Sequence, residues 1–166
     1  MNVGGGTHAG GCQCGAIRFR IAGPVIDVSI CHCRMCQKAT GGLFGAYVTV
    51  DDTHLDWTRG APSHFQSSTI ARRGFCPKCG TPLTFEWTAG RTALAIGAFD
   101  APEGFSFETA YASEHMHPAI SGLATIAASP LEDTPEAVAA YARLESFQHP
   151  DHDTSHWPLG GGNRDD

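Results

Sequence analysis

Short runs of alternating apolar and polar residues dominate the first two thirds of the chain. Ile17, Phe19 and Ile21 alternate with Arg18 and Arg20, which predicts a half-buried strand over 15–21. Pro24 breaks it, and Ile26, Val28 and Ile30 repeat the same period over 25–31. Further strands are predicted over 43–50, 54–58 and 92–99, with another over 105–112, and 63–73 reads as polar and β-prone. Leu83, Phe85 and Trp87 are expected on one face of a strand over 83–88. Short strands at this regular spacing predict an all-β core. Two segments read differently. Residues 33–40 suit a short helical turn closed by Gly41-Gly42. Thr134-Pro135-Glu136 is a helix start, and Val138, Tyr141, Leu144 and Phe147 follow at helical spacing, so an amphipathic helix packed on the sheets is expected. The expected layout is a flexible stretch over 1–10, a β domain over 11–130, a helix within 131–148 and a solvated polar tail over 149–166.

Composition narrows the partners. With 42% hydrophobic and 17% charged residues the chain can bury a core, which excludes wholesale disorder. Its 20 Gly and 10 Pro fit many turns. A net charge of −6 disfavours a phosphate backbone, so nucleic acid is not expected as a partner. No apolar run approaches the ~18 residues a membrane helix needs. Met1–Gly11 lacks Lys, Arg and an apolar stretch, so no signal peptide is expected and a cytoplasmic location is. A homo-oligomer stays open.

The seven cysteines carry the chemistry. They fall into Cys12-x-Cys14, Cys31-x-Cys33-x-x-Cys36 and Cys76-x-x-Cys79. An odd number in a reducing compartment argues against a disulfide framework. Spacings this tight bring sulfurs to one ion, as tetrahedral zinc requires. Cys31, Cys33 and Cys36 lie within six residues and are expected to share one metal. Cys12, Cys14, Cys76 and Cys79 then form a closed structural site, which makes two zincs per chain. A three-ligand site leaves a coordination position open, and chemistry can happen there. Its alternative is a second structural zinc completed by a His or carboxylate. His32 lies between two of the ligands and is expected to point the other way on a strand. His32, His115 and His117 are acid–base candidates, and Arg34 and Lys38 candidate anchors for a substrate carboxylate.

The ordered set Gly11-Cys12-x-Cys14-Gly15, then Cys31-His32-Cys33-x-x-Cys36-Gln37-Lys38-Ala39-Thr40-Gly41, then Phe75-Cys76-x-x-Cys79-Gly80-Thr81-Pro82-Leu83, resembles the glutathione-dependent formaldehyde-activating enzyme family, which includes centromere protein V. The resemblance spans roughly residues 10–118. It implies an Mss4-like fold of zinc-pinned antiparallel sheets, with a structural zinc at Cys12, Cys14, Cys76 and Cys79. It implies a catalytic zinc at Cys31, Cys33 and Cys36, and a carbon–sulfur lyase that joins glutathione and formaldehyde. The peptide ends of glutathione would be held by Arg34, Lys38 and the main chain at Gly41 and Gly42. The pattern departs at Ala119, where many members carry an aromatic after the proline matching Pro118, and a looser grip on glutathione is expected. Two other readings stand beside the lyase: a zinc-stapled binding module with both metals structural, and a cysteine-based reductase.

Overall fold

The structure is a computed structural model that describes residues 6–130 and 134–156. Two sheets face each other. The smaller holds β1 (Thr7–Gly11), β2 (Arg18–Ala22) and β5 (Leu55–Arg59) in the order β1-β2-β5. The larger is built from β3 (Val25–Cys31), β4 (Gly45–Asp51), β6 (Ser63–Gln66), β7 (Arg72–Phe75), β8 (Pro82–Glu86), β9 (Arg91–Ala95) and β10 (Thr109–Tyr111). Its order is β10-β3-β4-β9-β8-β7-β6. Helix α1 (Arg34–Thr40) follows β3, and α2 (Pro135–Tyr141) lies near the C-terminus. The fold is mainly β with a short C-terminal helix, as the sequence pattern predicts.

The core lies between the sheets. Phe19 and Ile21 from β2 meet Val48 and Val50 from β4, Leu83 from β8 and Leu94 from β9, all without solvent exposure. Phe19 packs edge-on against Phe99 and Trp57. Burying each such side chain contributes about 1.5–3 kcal/mol. The other face of the larger sheet does not pack on the smaller one. It carries Cys31, Tyr47, Ala93, Phe85 and Arg73 around a cavity.

Several expectations are corrected. The Gly-rich start is not all free: Thr7–Gly11 pairs antiparallel with β2. A Cβ at Gly10 would sit 2.3 Å from the Ala98 carbonyl oxygen, so only glycine lets this strand lie so close to the 3-10 turn after β9. One pair in the larger sheet is parallel, β10 with β3. The pairing steps from Gly74↔Thr84 to Phe75↔Pro82, which leaves Leu83 as an extra residue in a bulge. Alternation is thereby reset: Leu83 enters the main core, Phe85 faces the cavity, and Trp87 is exposed.

At the C-terminus the Thr134 hydroxyl caps α2 by accepting from the Ala137 N–H at 3.1 Å. The helix is shorter than expected, and Val138, Leu144 and Phe147 are exposed rather than packed on the sheets, whose core faces already cover each other. The expected tail is partly docked. The His149 N–H donates to the Gln13 carbonyl at 2.7 Å, Arg18 bridges Asp100 and Asp153, and Arg59 donates to the Thr154 carbonyl. The rest of that segment, 157–166, and residues 131–133 at the front of the expected helical segment lie outside the described residues. No helix among the described residues is long and apolar enough to cross a membrane.

Candidate metal centres and substrate site

Two turns build the larger thiol cluster. Cys12 and Cys14 sit in the turn between β1 and β2, held by Cys12 N–H to the Ile17 carbonyl and Gly15 N–H to the Cys12 carbonyl. Cys76 and Cys79 sit in the turn between β7 and β8, where the Gly80 N–H donates to the Cys76 carbonyl. Gly80 adopts φ +76°, the left-handed value that turns the chain away from the sulfurs. All four Sγ atoms lie within 4.8 Å of one another. The Cys12–Cys14 and Cys14–Cys76 separations are 3.6 and 3.8 Å. Sulfurs 2.3 Å from a tetrahedral zinc would be about 3.8 Å apart, so the spacing fits. Cys12 and Cys76 belong to the main core.

The smaller cluster forms where β3 runs into α1. Cys31 ends the strand, Cys33 caps the helix in extended conformation, and Cys36 lies in its first turn. Their three Sγ atoms also lie within 4.8 Å of one another. No His, Asp or Glu among the described residues joins either cluster. All seven cysteines are free thiols. The donors fit two soft metal ions, one with four sulfurs and one with three.

Electrostatics separates the thiols within each cluster. Burial pushes Cys31 up to about 12, helped by its neighbours Cys33 and Cys36. Burial also acts on Cys33, but hydrogen bonds from the Cys36 N–H and the two partner thiols outweigh it and hold that thiol below its ordinary value. In the larger cluster burial pushes Cys12 up. At Cys79 burial is outweighed by the hydroxyl and N–H of Thr81, and the thiol falls to about 6.

The trio opens on a cavity of about 480 Å³, bordered by Cys31, Cys33 and Cys36. Arg73 closes its inner wall. The residue is only 9% exposed. It donates to Cys36 Sγ at 3.4 Å and to the Tyr47 hydroxyl at 3.0 Å, and it lies 4.6 Å above the Phe85 ring. Among the described residues no carboxylate pairs with it, so the cysteine cluster is its electrostatic partner. Burial and the Cys36 thiol push the Tyr47 hydroxyl up, which keeps it protonated.

The sequence pattern does not mark Arg73 or Tyr47 as site residues, and it places Phe85 only on a strand face with Leu83 and Trp87. A signal was there: Arg72 and Arg73 are adjacent on a strand, so one of them has to face inward. The expected anchors lie elsewhere. Arg34 and Lys38 are exposed on α1, Gly41 and Gly42 follow it, and none of the four borders the cavity. His32 is 1% exposed, stacks edge-on with Phe44 and does not border the cavity; its Nδ1 has no hydrogen-bond partner among the described residues. His115 and His117 are exposed, and the His117 Nδ1 accepts from the Ala119 N–H. Ala119 does not border the cavity either.

Comparison with known proteins places the chain among relatives. A Schizosaccharomyces pombe protein named as an uncharacterized lyase is 29% identical over 103 residues, 61% of this chain and 74% of that protein. A Halomonas elongata protein, provisionally named a glutathione-dependent formaldehyde-activating enzyme, is 32% identical over 82 residues, 45% of this chain and 52% of that protein. A crystal structure of a Rhodobacter sphaeroides protein superposes with a TM-score of 0.49 at 21% identity, over 62% of this chain and 98% of that one. The model of the family described as glutathione-dependent formaldehyde-activating enzyme matches residues 7–114, well over half the sequence, and the chain belongs to that family.

Proposed function

We propose that this protein is a zinc-dependent carbon–sulfur lyase acting on a small thiol–aldehyde adduct. The observation that carries the proposal is the contrast in donor count: three thiols, an incomplete tetrahedral set, border a cavity, while the other four make a complete set between two turns, although Cys12 and Cys79 also border a recess of their own. Cys12, Cys14, Cys76 and Cys79 would hold a structural zinc, and Cys31, Cys33 and Cys36 a second one with a free coordination position. When bound there, zinc supplies a site for a soft sulfur ligand and favours its deprotonated form.

The protein's own residues do the rest. In the synthetic direction the substrate sulfur attacks the aldehyde carbon, a C–S bond forms, and the carbonyl oxygen gains the proton that the thiol lost. In reverse, that bond breaks and the sulfur keeps its electron pair. Arg73 borders the same cavity, and its N–H groups offset the negative charge of three thiolates and of the developing alkoxide. The Tyr47 hydroxyl, held protonated by burial, borders the same cavity and can donate to that oxygen. His32 supports the site from behind, packed against Phe44 at the junction of β3 and α1.

The test follows glutathione and formaldehyde combining in the presence of zinc-loaded protein, against the uncatalysed rate. Acceleration that disappears in Cys33→Ser, with the fold retained, supports the proposal. No acceleration, with a fourth protein ligand found at the trio, would assign the chain to zinc-stapled binding modules instead.

A further inference from the structure

We infer that the substrate of this site carries an apolar or aromatic body of small-molecule size beyond its sulfur. The inference rests on the thiol-adduct reading above and narrows its substrate class. At about 480 Å³ the cavity falls within the roughly 300–1,000 Å³ of small-ligand sites, and it exceeds what a one-carbon aldehyde would occupy.

Its lining gives the chemistry. Ile26, Met35, Ile70, Trp87 and Tyr111 are all large, apolar and exposed, and all five border this one opening. Exposed apolar side chains scattered singly carry no meaning, but a cluster around one cavity marks a binding surface. Ile70 is 72% exposed and Trp87 64%, so the fold gains little by placing them there. Phe85 extends the apolar surface inward beneath Arg73.

Charge is sparse by comparison. Asp27, Arg73 and Arg91 are the charged residues on the lining, and Arg73 is already engaged with Cys36 and Tyr47. A ligand as polar as glutathione, with two carboxylates and an ammonium group, would find Arg91, Asp27 and the hydroxyls of Ser29, Thr49 and Thr88, but would leave the apolar rim unused. The lining instead suits a soft sulfur at the trio and a ring or branched aliphatic group against Phe85, Ile70 and Trp87.

The test is titration calorimetry on the zinc-loaded full chain with two probes, phenylmethanethiol and glutathione. Phenylmethanethiol is expected to bind about tenfold tighter or better, since burying one ring against these walls is worth at least that factor. Replacing Trp87→Ser and Ile70→Ser together should weaken phenylmethanethiol about tenfold and leave glutathione nearly unchanged. Trp87→Phe with Ile70 intact should keep most of the affinity. Arg34→Gln and Lys38→Gln should alter neither probe. Equal or tighter glutathione binding, indifferent to Trp87 and Ile70, overturns the apolar-body inference and leaves the thiol-adduct reading standing. Failure of both probes to bind overturns both.

Discussion

The two thiol clusters use the same donor chemistry in opposite settings. The four-sulfur cluster ties the turn between β1 and β2 to the turn between β7 and β8, and so joins the two sheets. Two of its cysteines are part of the main core. The three-sulfur cluster comes from one local stretch, the end of β3 and the start of α1, and joins nothing distant. Both clusters border a cavity, but only the trio is an incomplete donor set, and Arg73 donates a hydrogen bond directly to its Cys36 Sγ. Donor count and chain separation together separate a staple from a reactive site: long-range closure gives stability, and a local incomplete set leaves room for a ligand.

The largest expected effect follows from that difference. Structural zinc contributes roughly 10 kcal/mol or more to the folding of small zinc domains. Cys76→Ser should therefore give insoluble protein, or one without a cooperative melting transition. Cys33→Ser should melt cooperatively and lose one metal, as metal analysis of the purified variant will show. Equal collapse of both would place the trio among the staples.

The two faces of the larger sheet differ in the same way. Phe19→Ala empties the space between the sheets and should cost about 3–5 kcal/mol in denaturant unfolding. Trp87→Ser on the cavity rim should stay within about 0.5 kcal/mol of the parent. A large loss at Trp87 would mean that the rim is structural.

Arg73→Met removes the hydrogen bond to Cys36 and the only buried cation beside the trio among the described residues. Changes to the partners of metal ligands typically cost about 10–100-fold in metal affinity. A chelator competition should show that loss for one metal of the two. Weakening of both metals alike would point to a general defect of folding.

How much of this the sequence shows depends on the range of the interaction. Period-two alternation located β2, β3, β4 and β5 within a few residues, because burial on one face dictates it. Cysteine spacing divides the seven thiols into the same two groups that the fold brings together. What escaped depended on contacts between distant segments. The bulge at Leu83 shows only in pairing with β7, and it redirects Phe85 to the cavity. Gly10 forms a strand because Ala98 and Phe99 lie against it, 88 and 89 residues on. Arg73 is singled out only by Tyr47, Cys36 and Phe85, which close around it from distant segments. The docking of 149–154 rests on Arg18, Arg59 and Gln13, at the other end of the chain.

That docked segment yields the smallest expected effect. Hydrogen bonds from Arg18, and secondarily from Arg20, hold the Asp153 carboxylate below its ordinary range. A depressed carboxylate adds stability above its unfolded pKa, and the contribution fades as pH falls through the folded one. Acid should therefore release 149–156 before the sheets unfold. Asp153 is 42% exposed, so screening limits the effect to under about 1 kcal/mol. Hydrogen exchange of this segment at neutral and acid pH, compared with Asp153→Asn, will show it. A segment equally protected at both pH values would rule this out.

The openness of the trio is measured most directly by cadmium NMR of protein loaded with that metal in place of zinc. Two resonances are expected, one from each cluster. Added thiol should shift one and leave the other fixed, and Cys33→Ser should remove the signal that moves. Two resonances that both ignore added thiol, or a single four-sulfur resonance at full loading, would contradict an open three-cysteine site.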